Sequence, residues 1–254
     1  MAKRPCGLVS VLLSAVLVSV ALWPAAAVSA GAAKGEPASL DTGPHLVGWW
    51  KFDESSGTSA ADASGHGHKG ALRGGLTFEA GSASGRRGKA LGFDGKKGFV
   101  EIPEYKGIAG PRPRTVAAWV KTKKSRGQIV SWGQREPGKM WVVGFVRSRV
   151  GVMPHGGYLY MNESVADDAW HHVAVVVVPA ERPNLHDHVR LYLDGKPAAI
   201  HDIGLLDLWP IDTGSDQVVQ IGKGFTGLID DLRIYDRPLS VEEIKALFAQ
   251  AGRQ

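Results

Sequence analysis

From residue 46 onward the apolar positions fall in short runs rich in Val, Ile, Trp, Tyr and Phe, each bounded by Gly, Pro, Asp or Asn. Runs of this length and make-up, closed by turn-forming residues, spell strands. The pattern predicts strands over 46–52, 70–78, 89–93, 98–102, 114–122, 128–132, 140–147 and 149–153. It continues with 158–162, 170–178, 188–193, 196–201, 218–222 and 227–235. In 114–122, Val116, Ala118 and Val120 share one face and Trp119 the other. In 227–235, Leu228, Asp230, Leu232 and Ile234 share a face, with Asp231, Arg233 and Tyr235 opposite. Residues 175–178 are apolar throughout, as in a strand covered on both sides. Asp194-Gly195 is the pair that a type I′ hairpin turn prefers. One segment reads as helix instead: Ser240 and Glu243 form a capping box, Leu239 and Ile244 a hydrophobic staple, and Val241, Ile244, Leu247 and Phe248 one apolar stripe. Many short strands with one terminal helix predict an all-β, antiparallel two-sheet sandwich or jelly roll.

The first thirty residues follow another grammar. Lys3 and Arg4 precede an apolar run over 8–28, and Val28-Ser29-Ala30 supplies the small residues of a cleavage site. Residues 1–30 are therefore expected to be a signal peptide, cut after Ala30 or alternatively after Ala27. An uncleaved anchor is the competing reading, since the run is just long enough to span a bilayer. Residues 31–44 are small and polar and read as a linker, leaving 45–254 as the folded domain. The single cysteine, Cys6, lies in the leader, so the exported chain is expected to hold together without disulfides. About 220 residues suffice for that.

The formal net charge is +5, a mild excess to which Lys3 and Arg4 contribute. Basic residues cluster at Arg86, Arg87 and Lys89 and at Lys121, Lys123, Lys124 and Arg126, beside turn residues. They read as solvated loops, with attraction to acidic polysaccharide or an anionic surface as the sharper alternative. An exported chain with no basic helix or aromatic-basic motif argues against nucleic acid.

Four stretches, in this order, resemble the LamG-like jelly-roll domains of the concanavalin A-like lectin and glucanase superfamily. The first is Leu46-Val47-Gly48-Trp49-Trp50-Lys51-Phe52-Asp53-Glu54, with Asp62-Ala63-Ser64-Gly65-His66-Gly67 after it. The second is Gly88-Lys89-Ala90-Leu91-Gly92-Phe93-Asp94-Gly95. The third joins Trp170-His171-His172-Val173-Ala174 to Leu191-Tyr192-Leu193-Asp194-Gly195-Lys196. The fourth is Gly227-Leu228-Ile229-Asp230-Asp231-Leu232-Arg233-Ile234-Tyr235, running on to Ser240. The resemblance implies a concanavalin A-like sandwich that binds carbohydrate or another extracellular protein. It does not name a ligand, because fold alone does not assign function.

Candidate chemistry is sparse. Asp230 is expected on a core-facing side, where a carboxylate needs a partner. The resemblance implies a structural calcium ion, and Asp62 and Asp230 are its candidate ligands. The alternative is that Asp230 accepts backbone hydrogen bonds and Asp62 shapes an Asx turn. His66 and His68 lack a third ligand for zinc. No E-x-D-x-x-E run, G-x-S-x-G or H-E-x-x-H occurs. Aromatic rings can stack on sugars. Trp132, Trp141, Tyr158, Tyr160 and Trp209 are the aromatics expected to reach the surface, and Trp141, Tyr158 and Tyr160 are the expected ligand platform. The chain is thus expected to be a secreted, non-catalytic binding module for glycan or an extracellular protein, free of stable membrane insertion once the leader is removed. A polysaccharide-active hydrolase or lyase, or a structural part of a surface assembly, are the alternatives.

Overall fold

A computed structural model describes residues 39–201 and 209–250. The expected leader, residues 31–38 of the expected linker, and residues 202–208 and 251–254 of the expected domain lie outside the described residues. The strands begin with β1 (Leu46–Trp50), β2 (Ser59–Ala60), β3 (Gly70–Arg73), β4 (Ser82–Ser84), β5 (Lys89–Asp94) and β6 (Phe99–Ile102). Next come β7 (Arg114–Lys121), β8 (Gln128–Gly133), β9 (Met140–Val146), β10 (Arg149–Met153), β11 (Leu159–Met161) and β12 (Trp170–Val177). The last are β13 (Val189–Leu193), β14 (Lys196–Pro197), β15 (Ile200–His201), β16 (Gln217–Ile221) and β17 (Thr226–Tyr235). Helical turns α1 (Phe78–Gly81) and α2 (Leu185–His188) punctuate the chain, and α3 (Val241–Gln250) follows β17.

The strands pair antiparallel in two sheets. One runs β14-β13-β12-β7-β17-β5-β4, with β1 also on β17; the other runs β15-β11-β10-β9-β8-β16-β6-β3-β2. Strand β17 is long enough to pair β5 through Thr226–Ile229 and β1 through Leu232–Tyr235 on the same edge. One hydrophobic cluster draws on both sheets and fills the space between them, including Val173, Val175 and Val177 of β12. A second cluster covers the other face of the first sheet: Ala174, Val176, Trp49, Ala117 and Tyr235 pack against Leu239, Ile244 and Leu247 of the α3 region. Strand β12 is therefore apolar on both faces because both are covered. Each large side chain so buried contributes about 1.5–3 kcal/mol.

The helix start follows its sequence signal. Ser240 N–H donates to Glu243 at 2.8 Å, and Glu243 N–H donates to the Ser240 hydroxyl at 3.2 Å. Val241 departs from the expected stripe and is 40% exposed. The Asp194-Gly195 turn has φ of 49° and 76°, the two positive values a type I′ turn requires.

Four expectations are corrected. The strand expected over 70–78 stops at Arg73, because the Thr77 hydroxyl accepts from Ala80 N–H and caps α1. The strand expected over 196–201 divides, with β14 in one sheet and β15 in the other. Residues 39–44 are part of the domain and not linker: the Leu40 carbonyl accepts from the Tyr235 hydroxyl, and Asp41 pairs with Arg233 at 2.6 Å. Alternation in β17 breaks at a bulge between Asp230 and Arg233, where Asp231 has φ of 52°. The extra residue lets Ile229 face the core before it and Leu232 and Ile234 after it, so both Asp230 and Asp231 leave the simple two-residue period.

That bulge organises a buried polar knot. Asp231 accepts from the Trp49 indole N–H and pairs with Arg87 and Arg233, each at 3.3 Å. The Arg233 guanidinium lies 4.1 Å from the Trp49 ring centroid. Burial alone would lower the Arg233 pKa, but Asp231, Tyr235 and Asp41 hold it above the ordinary value.

Candidate functional site

The nine-stranded sheet turns alternate side chains away from the core, and a pocket of about 380 Å³ lies on that outer face. On β8, Val130 and Trp132 point to the core and Ser131 lines the pocket. On β9, Trp141 and Val143 point inward, whereas Met140 and Val142 line the pocket. Gln217 and Gln220 of β16, Gln128, Lys223, Arg135, Met153, His155 and Tyr158 complete its polar and apolar wall. The Ser131 hydroxyl donates to Gln128 Oε1 at 2.8 Å, and Lys223 Nζ donates to Gln220 Oε1 at 2.9 Å. His155, at φ 62°, and Gly156, at φ 137°, bend the backbone around one side.

This geometry sorts the expected aromatics. Trp141 is wholly buried, as is Trp132, so neither offers a ring face to a ligand; the period of the strand points both into the core. Tyr158 and Tyr160 are half-buried and mutually stacked at 5.9 Å, and Tyr160 stacks on His201 at 4.9 Å. Tyr158 borders the pocket and its hydroxyl accepts from Arg147 Nε at 2.8 Å. Trp209 is 48% exposed and packs over Gly156, where a Cβ would meet its ring at 2.5 Å. Of the expected aromatics, Tyr158 borders the pocket and Trp209 is the most exposed, whereas Tyr160 is stacked against both Tyr158 and His201. The amides of Gln128, Gln217 and Gln220 carried no sequence signal, since isolated glutamines in strands form no motif.

Asp62 and Asp230 do not share a site. Asp62 is saturated by backbone: Oδ1 accepts from Trp49 N–H at 3.0 Å and Ser64 N–H at 2.9 Å, and Oδ2 from His68 N–H at 2.8 Å. Burial would raise its pKa, yet these hydrogen bonds hold it below the ordinary value. These bonds shape the turn over 62–68. Asp230 differs. Its Oδ2 accepts from Arg86 N–H at 2.6 Å and Arg87 N–H at 2.8 Å, while Oδ1 is buried without a hydrogen-bond partner. Burial pushes its carboxyl up to about 7, and the carboxylates of Asp231 and Asp53 add to the rise. Asp53 is bound to the same turn, accepting from Lys89 N–H at 2.8 Å. A cation beside Asp230 Oδ1 would satisfy that orphan atom, with Asp53, whose charge also acts on Asp230, as the second carboxylate held by the 86–89 turn. No group of three or more His, Cys, Asp or Glu side chains is gathered for a metal among the described residues.

Residues 94–245 match the family described as the concanavalin A-like lectin/glucanases superfamily. The chain belongs to that superfamily. No curated protein matches it. Among solved structures it is similar to domain 4 of AbnA, a GH43 extracellular arabinanase from Geobacillus stearothermophilus, in complex with arabinotriose. That likeness has 18% identity and a TM-score of 0.58, covering 80% of this chain and 97% of that one. It is also similar to the binding domain of Paraclostridial Mosquitocidal Protein 1, at 16% identity, TM-score 0.53 and coverage of 81% and 52%. The botulinum neurotoxin serotype G binding domain gives 13% identity, TM-score 0.52 and coverage of 81% and 51%. The chain spans about half of the last two, and identities this low establish the fold alone. The superfamily motifs themselves lie away from the pocket: Trp49 and the residues 230–235 build the polar knot, and Asp62 shapes its turn. They secure the sandwich, which is why they announce the fold and not the ligand. Among the described residues no helix is long and apolar enough to cross a membrane.

Proposed function

We propose that this protein is a secreted, non-catalytic carbohydrate-binding module whose ligand lies on the outer face of the nine-stranded sheet. The observation that carries this reading is the pocket: three amides, a hydroxyl and a tyrosine edge face one concavity, the mix that meets sugar hydroxyls and an apolar pyranose face. Its described lining contains no Asp or Glu, whereas glycoside hydrolysis uses two carboxyls facing one bond. The arabinotriose complex of a protein with the same fold supports a glycan as ligand.

Calorimetric titration of the exported chain against a polysaccharide panel tests this. At least one glycan is expected to bind, and Tyr158→Ala is expected to weaken it about fivefold, the loss of one aromatic contact being worth about 1 kcal/mol. Absence of binding across the panel, or equal binding by Tyr158→Ala, overturns the reading and favours an extracellular protein as partner.

A structural calcium ion at Asp230, with Asp53, belongs to the same reading. Calcium added to EDTA-treated protein at pH 8 is expected to raise the unfolding temperature, by about 2.7 kcal/mol of stability at a hundredfold excess over Kd. Asp230→Asn is expected to abolish the rise while Asp62→Asn, if folded, keeps it. An unchanged unfolding temperature in the wild type removes the ion from the account.

A further inference from the structure

We infer that the pocket is built for an anionic saccharide, one carrying carboxylate or sulfate groups, and discriminates against neutral glycans. This rests on the carbohydrate-binding reading above and specifies its ligand class. Lys223 carries an ammonium group, which has three N–H donors and no lone pair. One donor is spent on Gln220 Oε1 at 2.9 Å. The ammonium thereby fixes the orientation of that amide, because only the oxygen can face it. The Gln220 NH₂ is left pointing elsewhere, with its two donors, and two ammonium donors are also left.

Gln128 repeats the arrangement. Its Oε1 accepts from the wholly buried Ser131 hydroxyl at 2.8 Å, so its NH₂ is also the unspent end. Arg135 stands exposed on the pocket wall and brings up to five more donors. The wall is thus rich in unspent donors, and two of its three amide oxygens are already engaged.

Charge points the same way. Arg135 and Lys223 are cations, and no carboxylate lines the pocket among the described residues. The nearby Glu136 is committed to Lys139 at 2.8 Å and to Gln134 at 2.7 Å. Lys223 is half-buried, its ammonium 5.6 Å from the Phe99 ring centroid, so its charge is screened less than that of a surface lysine. A neutral sugar's hydroxyls can accept from these N–H groups but carry no charge to meet Lys223 and Arg135. A carboxylate or sulfate oxygen only accepts, and matches both the charge and the spare N–H groups.

The test measures binding of the exported chain to polygalacturonate, heparin and neutral arabinan, for wild type, Lys223→Met, Arg135→Met and Lys196→Met. Lys196 lies exposed on β14 of the other sheet and controls for net charge. Polygalacturonate or heparin is expected to bind about tenfold or more tighter than arabinan, more weakly as salt rises. Lys223→Met and Arg135→Met are each expected to lose about tenfold while Lys196→Met is unchanged. Preference for polygalacturonate assigns carboxylate, and preference for heparin assigns sulfate. Arabinan binding as tightly as the acidic chains overturns this inference and leaves the carbohydrate reading standing. An equal loss in Lys196→Met overturns it too, since the attraction would be diffuse charge. No binding to any of the three, with none across the wider panel, overturns both. Gln220→Glu, which would neutralise Lys223 without truncating it, is expected to reproduce the Lys223→Met loss and serves if that variant fails to fold.

Discussion

Replacing Arg233 with alanine is expected to destabilise the protein by about 3–5 kcal/mol, because it strips a buried carboxylate of its main counterion. Arg233 is 1% exposed and stands between Asp231, Asp41 and Tyr235. Its removal leaves Asp231 with only Arg87 and the Trp49 indole. It also frees Asp41, and with it the segment 39–44 that this pair ties to β17. For a domain of this size the unfolding temperature should fall by about 2–4 °C per kcal/mol. The paired change Arg233→Met with Asp231→Asn is expected to recover part of the loss, since it removes the stranded charge and asparagine tolerates the φ of 52° and still accepts from the Trp49 indole. Denaturant melts of both variants check this. A loss below about 1 kcal/mol in Arg233→Ala would mean that the knot is not a supporting contact of the fold.

His172→Phe is expected to resist acid better than the wild type. His172 is 3% exposed, tilted against Trp119 at 5.3 Å and near Phe248 at 6.3 Å, with Nδ1 unpartnered. Burial pushes its pKa from 6.5 down to about 4; Asp231 and Asp194 oppose that shift and Arg233 reinforces it. The unfolded chain therefore binds a proton between about pH 6.5 and 4 that the folded chain refuses. The stability tied to neutral His172 is complete above pH 6.5 and is lost as pH falls through that window, up to about 3 kcal/mol. Asp230 acts with the opposite sign, because its folded pKa is raised to about 7 from 3.8 and its protonated form is the favoured one. The two contributions offset each other in the wild-type profile, so the difference between His172→Phe and wild type isolates the histidine. That difference should grow in favour of the variant from pH 7 to pH 4. A difference independent of pH would mean that His172 titrates normally.

What the chain disclosed before folding was the part governed by local rules. The type I′ turn at Asp194-Gly195, the capping box at Ser240 and the doubly apolar β12 all follow from side-chain chemistry within a few residues, and each stands as expected. Errors arose where tertiary context reassigns a face. The Asp231 bulge shifts the period inside β17 and no local signal marks it. Arg114 reads as a strand boundary, yet it is wholly buried and donates to the carbonyls of Ile108, Gly110 and Arg112 and to the Thr213 hydroxyl. Trp141 shows the same limit at the candidate site: a tryptophan in a strand can face either way, and its neighbours Met140 and Val142, not the indole, took the outer face. The pocket draws on β8, β9, β10 and β16, so its polar wall exists only once distant strands pair.

The central claim is that a glycan binds the outer face of the nine-stranded sheet. The most direct measurement is amide and side-chain chemical-shift mapping of the exported chain titrated with arabinotriose and with a galacturonate trimer. The account predicts saturable shifts concentrated at Gln128, Ser131, Tyr158, Gln220 and Lys223, with the acidic trimer acting at lower concentration. Shifts gathered instead beside α3, around Arg190, Tyr192 and Val241, would contradict it by placing the ligand on the opposite sheet.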